Sequence, residues 1–121
     1  MFWSKQKKSD FNWNYLKSID DFNSAVEASF SADILLFKHS TRCSISTLAK
    51  SRIENSWKTS LSIKPYLIDV LNFREISNEI AHRFDVVHES PQVLVISSNK
   101  CLGYLSHSAI EMDEIEVIIN G

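Results

Sequence analysis

Apolar residues mark the chain in short, regularly spaced bursts from Trp13 onward. A brief strand over Asn14–Lys17 runs into Ser18-Ile19-Asp20-Asp21, a helix start with acidic residues in its first turn. Phe22, Ala25, Val26 and Phe30 follow at helical spacing. Ile34-Leu35-Leu36-Phe37 is an unbroken apolar run of strand length, the pattern of a central strand covered on both faces. After the polar turn His39-Ser40-Thr41-Arg42, the residues Ile45, Leu48, Ala49, Ile53 and Trp57 predict one face of a second helix.

Pro65–Val70 predicts the next strand, entered by its proline. Phe73, Ile76, Ile80 and Phe84 predict a third helix capped by Asn72. Val93–Ile96 and Leu102–Leu105 flank Ser97-Ser98-Asn99-Lys100 as a hairpin, and Met112, Ile115, Ile118 and Ile119 predict a closing helix. The order is β-α-β-α-β-α-β-β-α, an α/β class with parallel crossovers followed by an antiparallel hairpin. This layout is similar to the thioredoxin-like fold, a mixed five-stranded sheet flanked by helices, and that resemblance implies the sheet order 1-3-2-4-5. Such a sheet brings the end of strand 2, the start of strand 4 and the end of strand 5 to one edge. Cys43, Ser90-Pro91 and His107 are expected to converge there.

At 121 residues and 44% hydrophobic, the chain suits one domain over residues 13–121 behind a mobile tail over 1–12. A net charge of −2 with scattered basic residues gives no reason to expect nucleic acid or an anionic membrane as partner. No signal-peptide pattern opens the chain, and no apolar run nears the roughly 20 residues of a membrane span. Two cysteines 58 positions apart do not form a disulfide framework, so a cytoplasmic, reducing environment is expected.

Cys43 opens the second helix, where unpaired backbone N–H groups and the positive end of the helix dipole favour a thiolate. Lys38 and Arg42 add positive charge nearby. Ser46 stands where a two-cysteine enzyme has its resolving thiol, and Cys101, about 10 Å sideways, lies outside the ~7 Å Cα reach of a disulfide. The chemistry is then monothiol. A phosphatase of the CX5R type needs arginine where Ala49 stands, and a peroxiredoxin needs proline where Leu36 stands. His39 and His107 can orient substrate or move a proton. His82 reads as solvent-facing, His88 as support for the loop before Pro91, and no metal-ligand spacing is present.

Four segments carry a closer resemblance: Phe37-Lys38-His39-Ser40-Thr41-Arg42-Cys43-Ser44-Ile45-Ser46, Ser77-Asn78-Glu79-Ile80-Ala81, His88-Glu89-Ser90-Pro91-Gln92-Val93 and Ser106-His107-Ser108 with Ile110. In these the chain resembles the monothiol bacilliredoxins, thioredoxin-like stress proteins of bacteria that use bacillithiol. Some members have proline after the cysteine, where Ser44 stands here. The resemblance implies that Cys43 takes bacillithiol from a mixed disulfide with a client protein and is released by a second small thiol. It also implies a cis bond at Ser90-Pro91, facing the sulfur. The thiol groove would be drawn from Lys38, His39, Ser40, Thr41, Arg42, Ser46, Ser90, Pro91 and His107, with Lys38 and Arg42 anchoring the malate carboxylates of bacillithiol. Bacillithiol would act as a co-substrate with no permanent cofactor, S-thiolated proteins as clients, and the protein as a monomer. A glutaredoxin-like transferase using another small thiol, and a non-catalytic redox-sensing or binding module, are the alternatives.

Overall fold

The computed structural model describes residues 11–121. Residues 1–10 of the expected tail lie outside the described residues. Phe11, assigned to the tail from sequence, packs its ring 4.9 Å from both Trp13 and Trp57.

Five strands form one sheet in the order β1-β3-β2-β4-β5, with β1 (Asn14–Tyr15), β2 (Asp33–His39), β3 (Ile63–Asp69), β4 (Gln92–Ser97) and β5 (Lys100–Ser106). β1, β2 and β3 run parallel, whereas β4 is antiparallel to β2 and β5. The helices are α1 (Ile19–Ala28), α2 (Ser44–Asn55), α3 (Arg74–Phe84) and α4 (Met112–Asn120), with one 3-10 turn at His107–Ala109. This is the thioredoxin-like fold expected from the sequence.

β2 is central because both of its faces are apolar. Ile34 and Leu36 join a core with Phe22, Val26, Ile76 and Ile80 on the α1/α3 side. Leu35 and Phe37 join another with Ala49, Ile53, Met112 and Ile115 on the α2/α4 side. Strand alternation therefore directs odd and even positions of β2 into different cores.

Local chemistry fixes the joints. Ser18 Oγ accepts from the Asp21 amide at 3.0 Å, and Asp21 Oδ2 accepts from the Lys17 amide at 2.9 Å, together capping α1. The hairpin turns on Ser98 and Asn99, both at positive φ, as a two-residue turn between right-twisted strands requires. It docks on the end of α1, where Ser29 accepts the Ser98 amide at its carbonyl (2.8 Å) and the Asn99 amide at its hydroxyl (2.9 Å). Gly103 lies against α4, where a Cβ would come within 3.0 Å of the Ile118 side chain.

Three sequence expectations are corrected. Phe30 does not continue the buried face of α1: the helix ends at Ala28 and Phe30 is exposed. Ile45 and Leu48 are likewise exposed, and α2 buries Ser46, Ala49 and Ile53 instead. Asn72 does not cap α3, because its amide donates to Asp69 Oδ2 at 2.7 Å and the helix is entered from Phe73.

Candidate active site

β2 ends at His39, and after three intervening residues the chain reverses into α2 through Cys43. Cys43 is the N-cap of the helix, held by its own backbone: its N–H donates to the Ser40 carbonyl at 3.2 Å. Its carbonyl accepts from the Thr47 amide at 3.0 Å and the Thr47 hydroxyl at 3.2 Å. The side chain makes no capping bond and is part-exposed. A sulfur at this place is a weak cap acceptor but a reachable nucleophile, beside the unpaired N–H groups of the first turn.

Ser46, one turn on, is fully buried. Its hydroxyl oxygen accepts from the Ser40 amide at 3.0 Å and lies 2.6 Å from His39 Nδ1. This bridge ties the last residue of β2 to α2 and sets how the helix is rotated on the sheet. Burial, and then the Lys50 charge, hold His39 below its ordinary pKa against the weaker pull of Asp69 and Glu54. The imidazole is thus neutral at pH 7.

The second wall comes from β4. The Ser90–Pro91 peptide bond is cis. Gln92, the next residue, pairs with Lys38 on β2 and with Ser106 on β5, so Pro91 stands beside the end of β2 from which Cys43 departs. The His107 amide donates to the Pro91 carbonyl at 3.0 Å, while the His107 side chain is exposed. The expected meeting of the Cys43, Ser90-Pro91 and His107 segments at one end of the sheet is thereby found.

Lys38 is the main departure from the sequence reading. As an even-numbered residue of β2 it points to the α1/α3 side, has no exposed surface, and places Nζ 3.1 Å from His88 Nδ1. It does not face the groove as an anion anchor. Burial pulls its ammonium pKa down to about 8. His88 is lowered by its own burial, then by Lys38 and Arg74, against Glu89. Arg42 and Thr41 are exposed beside Cys43, and Ser40 is part-exposed.

Sequence reasoning missed Gln92 as a structural part of the site. It is fully buried, and its amide nitrogen donates to the Val87 carbonyl at 3.1 Å and lies 3.3 Å from Ser106 Oγ, fastening the segment before Pro91 to β5. A glutamine directly after the proline and before an apolar strand was the available signal. His88 was correctly read as a support, through a partner, Lys38, that periodicity alone did not supply.

On the β3 side of the end of β2, a cleft of about 610 Å3 opens between β1, the start of α2 and the turn after β3. Its walls include Tyr15, Lys17, His39, Thr41, Thr47, Lys50, Asp69 and Phe73. Among the described residues no three of His, Cys, Asp and Glu gather as a metal site requires, and no helix is long and apolar enough to cross a membrane.

Known proteins share this fold. The chain is similar to a candidate oxidoreductase with a thioredoxin fold, at 25% identity and TM-score 0.79 over 88% of this chain and 92% of that one. Thioredoxin from Trypanosoma brucei brucei superposes with TM-score 0.74 at 16% identity, over 98% and 99% of the two chains. Oxidised mitochondrial thioredoxin 3 from Saccharomyces cerevisiae superposes with TM-score 0.72 at 12% identity, over 90% and 95%. The sequence model described as monothiol bacilliredoxin BrxC matches residues 14–115. With its lone cysteine at the helix start beside a cis proline, and with that match over most of its length, this thiol-redox chain belongs to the monothiol bacilliredoxin family.

Proposed function

We propose that the protein is a monothiol thiol-disulfide oxidoreductase that removes bacillithiol from mixed disulfides with client proteins. The Cys43 thiolate attacks the bacillithiol sulfur, the new Cys43–bacillithiol disulfide forms, and the client thiolate leaves. A second small thiol, as its thiolate, then attacks the bacillithiol sulfur of that adduct, forming a small disulfide and returning Cys43 as a thiolate. The substrates are S-thiolated proteins, the co-substrate is bacillithiol, and the protein works as a cytoplasmic monomer.

The observation that supports this reading best is the isolation of Cys43. Its side chain is not spent on capping, Ser46 occupies the resolving position, and Cys101 sits on β5 beside Ile96, at the other end of the sheet. Ser90 lies just ahead of β4, next to the cis proline, a place where a client strand can pair. Incubating the protein with a bacillithiolated client and following it by mass spectrometry tests the reading. Turnover with a transient bacillithiol-mass adduct on Cys43, lost in Cys43→Ser, is expected. A stable adduct without turnover would identify a redox sensor instead, and preferred turnover with another small thiol would identify a glutaredoxin-like transferase.

A further inference from the structure

The cleft beside β1 is lined by residues on either side of Cys43 in the chain. Thr47, in its wall, donates to the Cys43 carbonyl, and Thr41, also in its wall, lies two residues before Cys43. Its volume of about 610 Å3 falls within the range of small-molecule sites. Disulfide exchange needs two surfaces, because the attacking, attacked and leaving sulfurs lie in line and the body attached to the central sulfur leaves that line sideways. Ser90-Pro91, on the β4 side of the end of β2, offers one surface; the cleft lies on the β3 side.

Its charge indicates what it holds. Lys17 and Lys50 lie in the walls, and His39 adds a neutral ring. The single wall carboxylate, Asp69, is already committed to the amides of Leu71 (3.0 Å) and Asn72 (3.3 Å) and to the Asn72 side chain. Lys50 shares its charge with Glu54 at 2.7 Å, whereas Lys17 makes no ion pair among the described residues. Asp69, Glu54 and Asp21, whose Oδ2 accepts the Lys17 amide at 2.9 Å, keep their charges nearby, and the Lys17 ammonium is the wall donor left for a charge-assisted hydrogen bond to an entering carboxylate.

We propose that this cleft is the subsite for the carboxylate-bearing body of the small thiol, held by Lys17 and Lys50 while the Ser90-Pro91 flank takes client backbone. The proposal rests on the transferase reading, and it moves the anion anchor from Lys38, which is buried, to the opposite flank.

The test uses equilibrium and not turnover. The full chain carrying Cys101→Ser is equilibrated with the disulfides of mercaptosuccinate and of 2-mercaptoethanol, and the Cys43 adducts are counted by mass spectrometry. A preference for mercaptosuccinate is expected, falling about fivefold in Lys17→Gln/Lys50→Gln and by part of that in Lys17→Gln alone, a solvent-exposed change. Lys100→Gln, the same charge loss far from the cleft, should leave the preference unchanged. An unaltered preference in the double variant, or equal loss of both adducts, overturns the proposal. So does a preference carried by disulfides of acidic cysteine peptides while mercaptosuccinate gains nothing, which would assign the cleft to the client. Because adduct formation does not depend on turnover, absence of client turnover would sink the transferase reading and leave the cleft to be judged on the preference alone.

Discussion

Lys38 has no exposed surface, and its ammonium meets His88 in the segment leading to Ser90-Pro91. Burial drives it from 10.5 to about 8, so the fold favours the neutral amine. Stability is therefore lost as pH falls from above 10.5 through 8, and at pH 7 the charged form costs about 3 kcal/mol, at ~1.4 kcal/mol per pH unit. Lys38→Met should stabilise the protein in urea unfolding at pH 7, by up to that amount. The gain should shrink to below about 1 kcal/mol near pH 10, where wild-type Lys38 is neutral in the fold; an equal gain at both values would refute a buried charge. Lys38 also holds His88 down, so the His88 ring, followed by NMR, should titrate at higher pH in the same variant. In the wild type, His39 and His88 are both depressed, so stability falls as pH drops through about 6.5 and below. The sequence places a lysine five residues before Cys43 but says nothing of the face it takes. Adjacent strand residues point oppositely, and only packing shows that position 38 enters the α1/α3 core while position 39 meets α2.

Among the elements, α2 shows how a functional contact can override periodicity. Its apolar residues suggested a face through Ile45 and Leu48, but the grip of His39 and Ser40 on Ser46 rotates the helix so that these two point outward. Ala49 and Ile53 were read correctly because they serve either rotation. Ile53→Ala should then cost about 2–4 kcal/mol in chemical denaturation, while Leu48→Ser stays within about 0.5 kcal/mol; comparable losses would restore the periodic face. The strands were legible for a simpler reason. Unbroken apolar runs such as Ile34–Phe37 and Val93–Ile96 suit a sheet covered on both sides, and the Ser98-Asn99 turn suits a hairpin.

At the scale of the whole molecule, the sheet separates the two cysteines by strand length as well as by strand order. Cys101 pairs with Ile96, which pairs with Ile34, whereas Cys43 follows the far end of β2, five residues and roughly 16 Å further along. A disulfide, which needs Cα atoms within about 7 Å, is out of reach. Cys101 is part-buried, and burial raises its thiol pKa against the weaker influence of a backbone hydrogen bond with Gly103. Oxidation with diamide should therefore give no intramolecular disulfide by mass spectrometry, and Cys101→Ser should leave thiol transfer unchanged. The sequence by itself determined the element order and the helix-opening cysteine with serine in the resolving position, because these depend on neighbours within a few residues, whereas the third strand starts at Ile63, two residues before the Pro65 expected to open it. The tertiary structure alone decided that Lys38 is buried, that Ser46 clasps His39, and that a cleft carrying Lys17 and Lys50 opens at the start of α2, because each depends on which faces of separate elements meet across the sheet.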